Sequence, residues 1–283
     1  MIKNYLSLTK PGIIFGNMIT ASGGFFLAER GHFDLGLFLA MIAGLSLVIA
    51  SGCVINNYFD RDSDALMERT KNRPLAMGAI ASWKAIMFGV ALGFLGILIL
   101  FLYVNPLSLS VALFGGFVYI ALYTLWFKRR SVHSTLVGGL AGAVPPVVGY
   151  TAVTHSIDFG AVLLFLILVL WQVPHFYAIA LYRLEDYTAA RIPVLPVKRG
   201  IFATKIHMLL YINAFIIAAL ILTAFGYAGY AYLIVMAVLG IMWLVLAIAG
   251  FKANDTKKWA RKMFILSLVI IIAFSILLVF SVA

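Results

Sequence analysis

The sequence contains a single cysteine and few charged residues, and both shortages restrict what the protein can be. Cys53 is the only cysteine among 283 residues, so the chain has no disulfide within itself and no cluster of thiolate metal ligands. Charged residues make up 11% of the sequence, whereas hydrophobic residues make up 64% and the mean hydropathy is +1.07. Soluble globular proteins do not have this composition. We therefore expect an all-α membrane protein, because helices satisfy their own backbone groups in lipid.

Nine apolar stretches are long enough, or nearly so, to cross a bilayer as helices. The predicted spans are 12–28, 35–55, 84–104, 107–127, 135–153, 159–181, 206–225, 229–250 and 262–282. We expect all nine to belong to one transmembrane domain that covers residues 1–283.

Acidic residues are also scarce: 10 Asp and Glu stand against 21 Lys and Arg, which gives a net charge of +11. If all nine stretches span, every Lys and Arg except Arg30 falls on one side of the membrane, within segments 1–11, 56–84, 128–130, 183–205 and 252–262. This asymmetry follows the positive-inside rule, so we predict a cytoplasmic N-terminus and a C-terminus outside. The positive charge is mainly a topology signal, and we predict no nucleic-acid partner.

The densest cluster of charge follows the second predicted span. Asn56, Asp60 and Asp64 are spaced four residues apart, so they share one face of a helix. Oxygen ligands of this kind suit Mg²⁺, which is usually held by one or two carboxylates together with substrate phosphates. Guanidinium and ammonium groups that suit such a phosphate follow closely, at Arg61, Arg69, Lys71 and Arg73. The alternative for any single carboxylate is a solvated surface charge, and we assign Asp62 to it because it lies on another face.

A second segment repeats this order of residue types. Tyr182, Glu185 and Asp186 precede a basic, proline-containing stretch, with Arg191, Pro193, Pro196, Lys198 and Arg199. The likeness suggests that a four-helix unit occurs twice, over about 12–127 and 135–250, with 262–282 as a final helix. Both polar segments lie on the predicted cytoplasmic side.

A stripe of residues three and four apart also runs along the sixth predicted span and would share one helix face. Its members are Gln172, His175, Ile179, Tyr182 and Asp186. A histidine at membrane depth is a functional candidate, either in contact with a porphyrin iron or as a general base for water. The alternative is a hydrogen bond from His175 to a neighbouring helix. Pro174 in the same span predicts a kink or a polar pocket.

Two further stretches are informative. Lys128, Arg129 and Arg130 follow the fourth predicted span, where they either bind phosphate or only anchor the topology. Pro145 and Pro146 lie among several glycines, and they predict a break in the fifth span together with close helix packing.

The stretch from Asn56 to Leu75, with Arg69, Arg73 and Pro74, resembles the first aspartate-rich motif of the UbiA-type intramembrane prenyltransferases. Further stretches resemble the haem-modifying branch of that family: Thr9-Lys10-Pro11-Gly12, 142–149, 171–176, Glu185-Asp186-Tyr187 and 192–196. Two positions depart from the family pattern. Tyr182 stands where the second motif commonly has an aspartate, and Arg191 stands where a glycine is common in the branch.

The resemblance implies a nine-helix bundle and a reaction with farnesyl diphosphate. The farnesyl group would pass to a vinyl group of haem B with addition of water, giving haem O and diphosphate. Mg²⁺ would be the cofactor, with Asn56, Asp60, Asp64 and Asp186 as ligands. The implied catalytic residues are Asp60, Asp64, Asp186, His175 and Tyr182. The implied substrate-binding residues are Asn56, Arg61, Arg69, Lys71, Arg73, Lys128, Gln172, Arg183 and Lys198.

The resemblance also implies a place in the bacterial cytoplasmic membrane, with the site facing the cytoplasm, lipid around the bundle and product passed to a haem-copper oxidase pathway. One alternative is prenylation of an aromatic quinone precursor with the same Mg²⁺ and diphosphate chemistry. The 171–176 stretch and Tyr182 weigh against it. Another alternative is a cation-coupled transporter. The carboxylates at a helix end weigh against it, because transport sites tend to lie near the middle of the bilayer.

Overall fold

In a computed structural model of the chain, which describes residues 2–280, nine helices are long and apolar enough to cross a membrane. They are Pro11–Glu29, Leu35–Asp64, Ser82–Tyr103, Pro106–Phe127, Ser134–Thr154, Phe159–Tyr182, Leu195–Ala224, Tyr230–Lys252 and Thr256–Val279. The prediction of nine spans is confirmed, and residues 2–280 contain no strand. The predicted end of the last span, at 281 and 282, lies outside the described residues.

The second and seventh spans differ most from their predicted bounds. The second was predicted to end at 55, but its helix continues to Asp64, so the following loop covers only 65–81. The seventh was predicted to begin at 206, but helical structure starts at Leu195 and is interrupted at Gly200, where φ is 83°. Hydropathy marks only the apolar part of a helix, and both of these helices extend beyond that part into polar residues.

Each span packs against the next one in the chain, and the ninth also packs against the first and the sixth. The first span lies against the fifth as well. The apolar core has two large clusters, one formed mainly by the first to fifth spans and one mainly by the fifth to ninth. Two short helices, Ile2–Leu8 and Leu184–Ala189, lie outside the spans.

The fifth span is broken, as the two prolines predicted. Its halves, Ser134–Gly142 and Val144–Thr154, meet at Ala143. A Cβ atom on Gly24 would lie 2.0 Å from the Pro146 carbonyl oxygen, and one on Gly149 would lie 2.0 Å from that of Ala21. The first and fifth spans therefore touch backbone to backbone, a contact that only glycine permits at these positions.

The fourth span changes its winding halfway, which the sequence did not predict. Pro106–Phe117 is an α-helix, but Val118–Phe127 is a π-helix, in which hydrogen bonds close over five residues. The backbone N–H of Lys128 donates to the Tyr123 carbonyl at 2.9 Å, which continues this pattern. Such wide turns often occur at functional sites. Here the π-helix directs Thr124 and Lys128 towards the second span.

The sixth span continues through Pro174 and ends at Tyr182. Arg183 has non-helical dihedral angles, and Asp186 lies on the separate short helix Leu184–Ala189. The predicted single face from Gln172 to Asp186 is therefore wrong, since the helix breaks before Asp186. Arg191 has a φ of 53°, in the region that favours glycine. This conformation explains why glycine suits the position.

Candidate functional site

Asn56, Asp60 and Asp64 lie on one face of the second span, at the end that is predicted to be cytoplasmic. Each is buried, with at most 2% of its surface exposed. Every one of them meets a cation. Lys128 forms an ion pair with Asp60, and Arg73 Nη1 lies 2.7 Å from Asp64 Oδ2. Lys10 Nζ donates to Asn56 Oδ1 at 2.5 Å. The predicted common face is thus present, and it carries three cationic contacts.

The three cations come from separate parts of the chain. Lys10 precedes the first span, Lys128 follows the π-helix, and Arg73 belongs to the loop 65–81. Thr70 holds this loop by donating its hydroxyl to the Asp64 carbonyl at 2.9 Å. Removing one partner of a buried ion pair typically costs about 3–5 kcal/mol, because the other charge stays buried without compensation.

One carboxylate oxygen in the site has no partner. Asp60 Oδ2 contacts Lys128, but Asp60 Oδ1 is buried without a hydrogen bond among the described residues. A buried acceptor left unpaired is unfavourable by about 1–3 kcal/mol. A hard divalent cation would satisfy it, and the two carboxylates and one amide oxygen are the ligand type that Mg²⁺ prefers. The residues therefore fit such an ion.

Residues 2–280 contain no group of three His, Cys, Asp or Glu side chains that could hold a metal alone. Asp60 and Asp64 supply two carboxylates, and Asn56 supplies an amide. Mg²⁺ typically completes its shell with water and phosphate oxygens. The site suits a metal that arrives with a phosphorylated ligand.

Thr124 of the π-helix fixes the orientation of the Asn56 amide. Its hydroxyl donates to the Tyr119 carbonyl at 2.8 Å, so the same oxygen acts as an acceptor towards Asn56 Nδ2, at 3.0 Å. The amide nitrogen therefore faces Thr124, and the amide oxygen faces Lys10. Both Thr124 and Lys10 were missed in the sequence analysis as site residues. Lys10 adjoins Pro11 in a stretch noted only for resemblance, and Thr124 had no signal beyond a hydroxyl in an apolar span.

Asp186 does not join the three residues of the second span. Its Oδ1 accepts a hydrogen bond from the backbone N–H of Glu68 at 3.1 Å, and its Oδ2 lies 4.0 Å from Arg183. Next to this bond, Met67 is buried in a small apolar cluster with Ala180, Ile192 and Val194. The second polar segment thus holds the loop 65–81 in place. Burial also raises the pKa of Tyr187, beside Asp186, above its usual value.

His175 faces the ninth span. Its Nδ1 lies 2.7 Å from the Ser267 hydroxyl, and its ring stacks on Trp171 at 4.7 Å between centroids. Phe264 lies 5.0 Å from the His175 ring and 5.7 Å from the Tyr182 ring. The hydrogen bond to a neighbouring helix, given above as the alternative for His175, is present.

Gln172 is directed elsewhere, towards the fifth span. A Cβ atom on Gly142 would lie 2.3 Å from Gln172 Oε1. None of Gln172, His175 and Tyr182 has a described contact with the carboxylates of the second span.

The remaining predicted cations have no described contact with the carboxylates of Asp60 and Asp64. Arg61 donates to the Tyr58 carbonyl at 2.8 Å and stacks over the Tyr58 ring, and Lys71 pairs with Glu68 at 2.7 Å. Arg69 is exposed. Lys198 is exposed in the first turn of the seventh span and forms no ion pair within residues 2–280. Of the predicted cations, Arg73 and Lys128 are the two that contact these carboxylates among residues 2–280.

An apolar cavity of about 330 Å³, open to the protein surface at Ile97, Leu113 and Phe117, lies between the second, third and fourth spans. Gly52, four residues before Asn56, is part of its wall. The other lining residues are Val48, Ser51, Gly93, Ile97, Leu113, Gly116, Phe117, Ile120 and Ala121. The cavity therefore starts one helical turn from the polar site and extends along the second span away from it.

Comparison with known proteins places these features in context. The sequence pattern of the UbiA prenyltransferase family matches residues 17–269. Protoheme IX farnesyltransferase of Sodalis glossinidius (strain morsitans) is 55% identical over 279 residues, which cover 98% of this chain and 94% of the relative.

Two solved structures have a similar fold. One concerns digeranylgeranylglyceryl phosphate synthase, with a TM-score of 0.81, 21% identity and 98% of both chains covered. The other is a UbiA homologue from Archaeoglobus fulgidus bound to GPP and Mg²⁺, with a TM-score of 0.75, 16% identity, and 98% and 99% covered. At these identities the likeness concerns the fold alone.

Proposed function

We propose that this chain, which belongs to the UbiA prenyltransferase family, transfers the farnesyl group of farnesyl diphosphate to a vinyl group of haem B. Water adds in the same reaction, and the products are haem O and diphosphate. The observation that carries this proposal is the 55% identity to a protoheme IX farnesyltransferase over 98% of the chain. Prenylation of a quinone precursor is not favoured, because the relative's name specifies protoheme.

Mg²⁺ is the proposed cofactor. Asp60 and Asp64 would hold it with Asn56, and the unpaired Oδ1 of Asp60 supports this assignment. The fold neighbour from Archaeoglobus fulgidus binds Mg²⁺ with GPP. A bound Mg²⁺ supplies positive charge that stabilises the departing diphosphate.

The chain's own residues bind the donor and exclude water. Lys128 and Arg73 already face the carboxylates and can contact the oxygens of the diphosphate. The loop 65–81 is attached beside the site through Thr70 and Met67, where it can shield the donor from water. Exclusion of water matters because an allylic cation reacts with any nearby nucleophile. The apolar cavity beside Gly52 offers space for a prenyl chain.

We assign the acceptor side to the sixth and ninth spans, where His175, Tyr182 and Phe264 form an aromatic group. His175 would position haem or the water that completes the addition. We expect His175→Ala to lose product while it still binds inorganic diphosphate, because the donor site lies elsewhere. Ser267→Ala is the matched control, since it removes the hydrogen bond but leaves the stacked ring. An unchanged product yield in His175→Ala would restrict His175 to a structural role.

The experiment that tests the proposed reaction is a direct product assay. Detergent-solubilised protein is incubated with haem B, farnesyl diphosphate and Mg²⁺, with and without EDTA, and analysed by liquid chromatography with mass spectrometry. We expect a haem that has gained farnesyl and water, and no product with EDTA. Prenylation of an aromatic ring acceptor offered in parallel, without a haem product, would overturn the proposed acceptor.

We further propose that the multi-pass protein lies in a bacterial cytoplasmic membrane with its N-terminus and its donor site on the cytoplasmic side. The clustering of all Lys and Arg except Arg30 in alternate loops supports this orientation. Soluble prenyl diphosphates would then reach Asp60 and Asp64 directly.

The product would pass to a haem-copper oxidase pathway. The repeated order of residue types supports two four-helix units within one domain.

A further inference from the structure

Lys10 is held at a fixed point beside the second span. It has a left-handed conformation with a φ of 53°, between the short helix Ile2–Leu8 and Pro11. Asn57 anchors this turn by donating to the Leu8 carbonyl at 2.8 Å, and the Leu8 side chain is fully buried. The backbone that carries Lys10 is therefore attached to the helix that carries the carboxylates.

The partner of Lys10 is a neutral group with a defined orientation. Because Thr124 accepts a hydrogen bond from Asn56 Nδ2, the amide presents its oxygen to the Lys10 ammonium. No carboxylate lies within ion-pair distance of Lys10 among residues 2–280, whereas Asp60 and Asp64 each have their own cation. The site thus contains three cations and two carboxylates, and Lys10 is the cation that lacks an anionic partner.

An ammonium in this position favours an additional anion. Its amide partner carries no charge, whereas Arg73 and Lys128 each pair with a carboxylate of the same helix face. An anion with several charged oxygens could accept charge-assisted hydrogen bonds from Lys10, Arg73 and Lys128 together. A diphosphate has enough oxygens for three contacts and for a metal, whereas a single phosphate has fewer.

From this geometry we propose that Lys10 is a further binding residue for the diphosphate group of the prenyl donor. The inference rests on the proposed function, because it concerns the same site. Lys10 brings the N-terminal end of the first span into contact with the donor, whereas the other two cations come from the fourth span and the loop 65–81. Donor binding thereby joins three separate elements around the second span.

The test compares Lys10→Met with Lys3→Met, which removes the same charge from an exposed position of the N-terminal helix. Binding of inorganic diphosphate, farnesyl diphosphate and inorganic phosphate is measured by calorimetry with Mg²⁺ present. We expect Lys10→Met to bind both diphosphates about tenfold to hundredfold more weakly, the usual effect of losing one charge-assisted hydrogen bond. Lys3→Met should match the unsubstituted protein.

Diphosphate binding by Lys10→Met within twofold of the unsubstituted protein would overturn the inference alone. If the unsubstituted protein bound neither diphosphate, the proposed function would fail as well. An effect confined to inorganic phosphate would place a free-phosphate site at Lys10 and refute the donor assignment.

A second measurement uses the unsubstituted protein and does not depend on whether a variant folds. Acetic anhydride labels accessible amines, and mass spectrometry reads the extent of labelling at each lysine. We expect inorganic diphosphate with Mg²⁺ to protect Lys10 from labelling and to leave Lys3 unchanged. Equal labelling of Lys10 with and without diphosphate, under conditions where calorimetry shows binding, would contradict the proposal.

Discussion

Asp64 and Asp186 occupy corresponding places in the two polar segments, yet they have different partners. Asp64 ends a continuous helix, is buried and pairs with Arg73. Asp186 lies on a short helix after a break at Arg183 and accepts a hydrogen bond from the backbone of Glu68. The same order of residue types therefore gives a charged binding face in the first segment, whereas in the second segment it gives a hydrogen bond that holds the loop 65–81.

Helix continuity accounts for this difference. The second span keeps its helical geometry to Asp64, so residues four apart stay on one face. Cations from three other elements contact that face. The sixth span ends at Tyr182 and the chain breaks at Arg183, so Asp186 lies on a separate short helix. We infer that the first segment binds metal and diphosphate and that the second keeps the loop 65–81 closed over them. Substitutions at three places test this division: the carboxylates of the first segment, Asp186 and Thr124.

Replacing a carboxylate of the first segment should have the largest effect. We expect Asp60→Ala and Asp64→Ala to abolish product formation, with a rate at least about a thousandfold lower. Each variant removes a metal ligand, and charge stabilisation of this kind supplies about 10²–10³ in rate or more. Asp60→Asn should be as inactive, since it keeps the shape and loses the charge. Product is measured by mass spectrometry, and insertion by recovery in the membrane fraction.

Asp62→Ala is the control for these variants. Asp62 is exposed, and its ion pair with Arg61 spans 3.7 Å at the surface. Exposed ion pairs contribute about 0–1 kcal/mol, so activity should stay within about twofold. Turnover by Asp60→Ala or Asp64→Ala at the unsubstituted rate would remove the case for a metal at the first segment.

Substitutions of Asp186 should lower activity less, and they distinguish a role in holding the loop 65–81 from a role as a metal ligand. Asp186→Asn keeps an oxygen that can accept from Glu68 N–H, so we expect activity within a fewfold of the unsubstituted protein. Asp186→Ala loses this acceptor, and we expect roughly a tenfold lower kcat/KM, about the value of one hydrogen bond to a charged group. Hydrogen exchange at the Glu68 amide should quicken in the alanine variant.

Equal and severe loss in both Asp186 variants would restore the metal-ligand role implied by the family resemblance. The contrast between the two segments would then disappear. Unchanged exchange at Glu68 in Asp186→Ala would show that the loop stays closed without this bond.

Periodicity and hydropathy predicted the parts of the structure that depend on neighbouring residues. The nine spans, the common face of Asn56, Asp60 and Asp64, and the break near Pro145 follow from local rules of helix geometry. Residue types and spacing also indicated Mg²⁺ and a phosphate group, whereas the identities of the prenyl donor and of the acceptor came from family resemblance.

Other features depend on tertiary contacts that a single sequence does not display. The helix end at Tyr182 and the π-helix at Val118–Phe127 contain no Pro or Gly that would mark them. Lys10 and Asn56 lie 46 residues apart in the chain, and nothing in the spacing indicates that they meet. That Lys198 binds substrate stays a prediction, because the residue is exposed and has no described ion pair that would place it.

The smallest of the three effects should come from Thr124, which acts on the first segment only through Asn56. Thr124→Val keeps the branched shape but removes the acceptor for Asn56 Nδ2, so the amide can turn its nitrogen towards Lys10 and the metal. The lost hydrogen bond is worth about 1 kcal/mol. We therefore expect about fivefold weaker binding of Mg²⁺ and inorganic diphosphate, measured by calorimetry.

Thr124→Ser should behave as the unsubstituted protein, because its hydroxyl can still donate to the Tyr119 carbonyl and accept from Asn56. A double-mutant cycle decides whether Thr124 works through Asn56 alone. In an Asn56→Ala background there is no amide to orient, so Thr124→Val should cause no further loss of binding. If the two losses simply added, Thr124 would contribute to the π-helix rather than to the orientation of Asn56. The fourth span would then have no part in orienting the binding face. The contrast between the segments of Asp64 and Asp186 would rest on helix continuity alone.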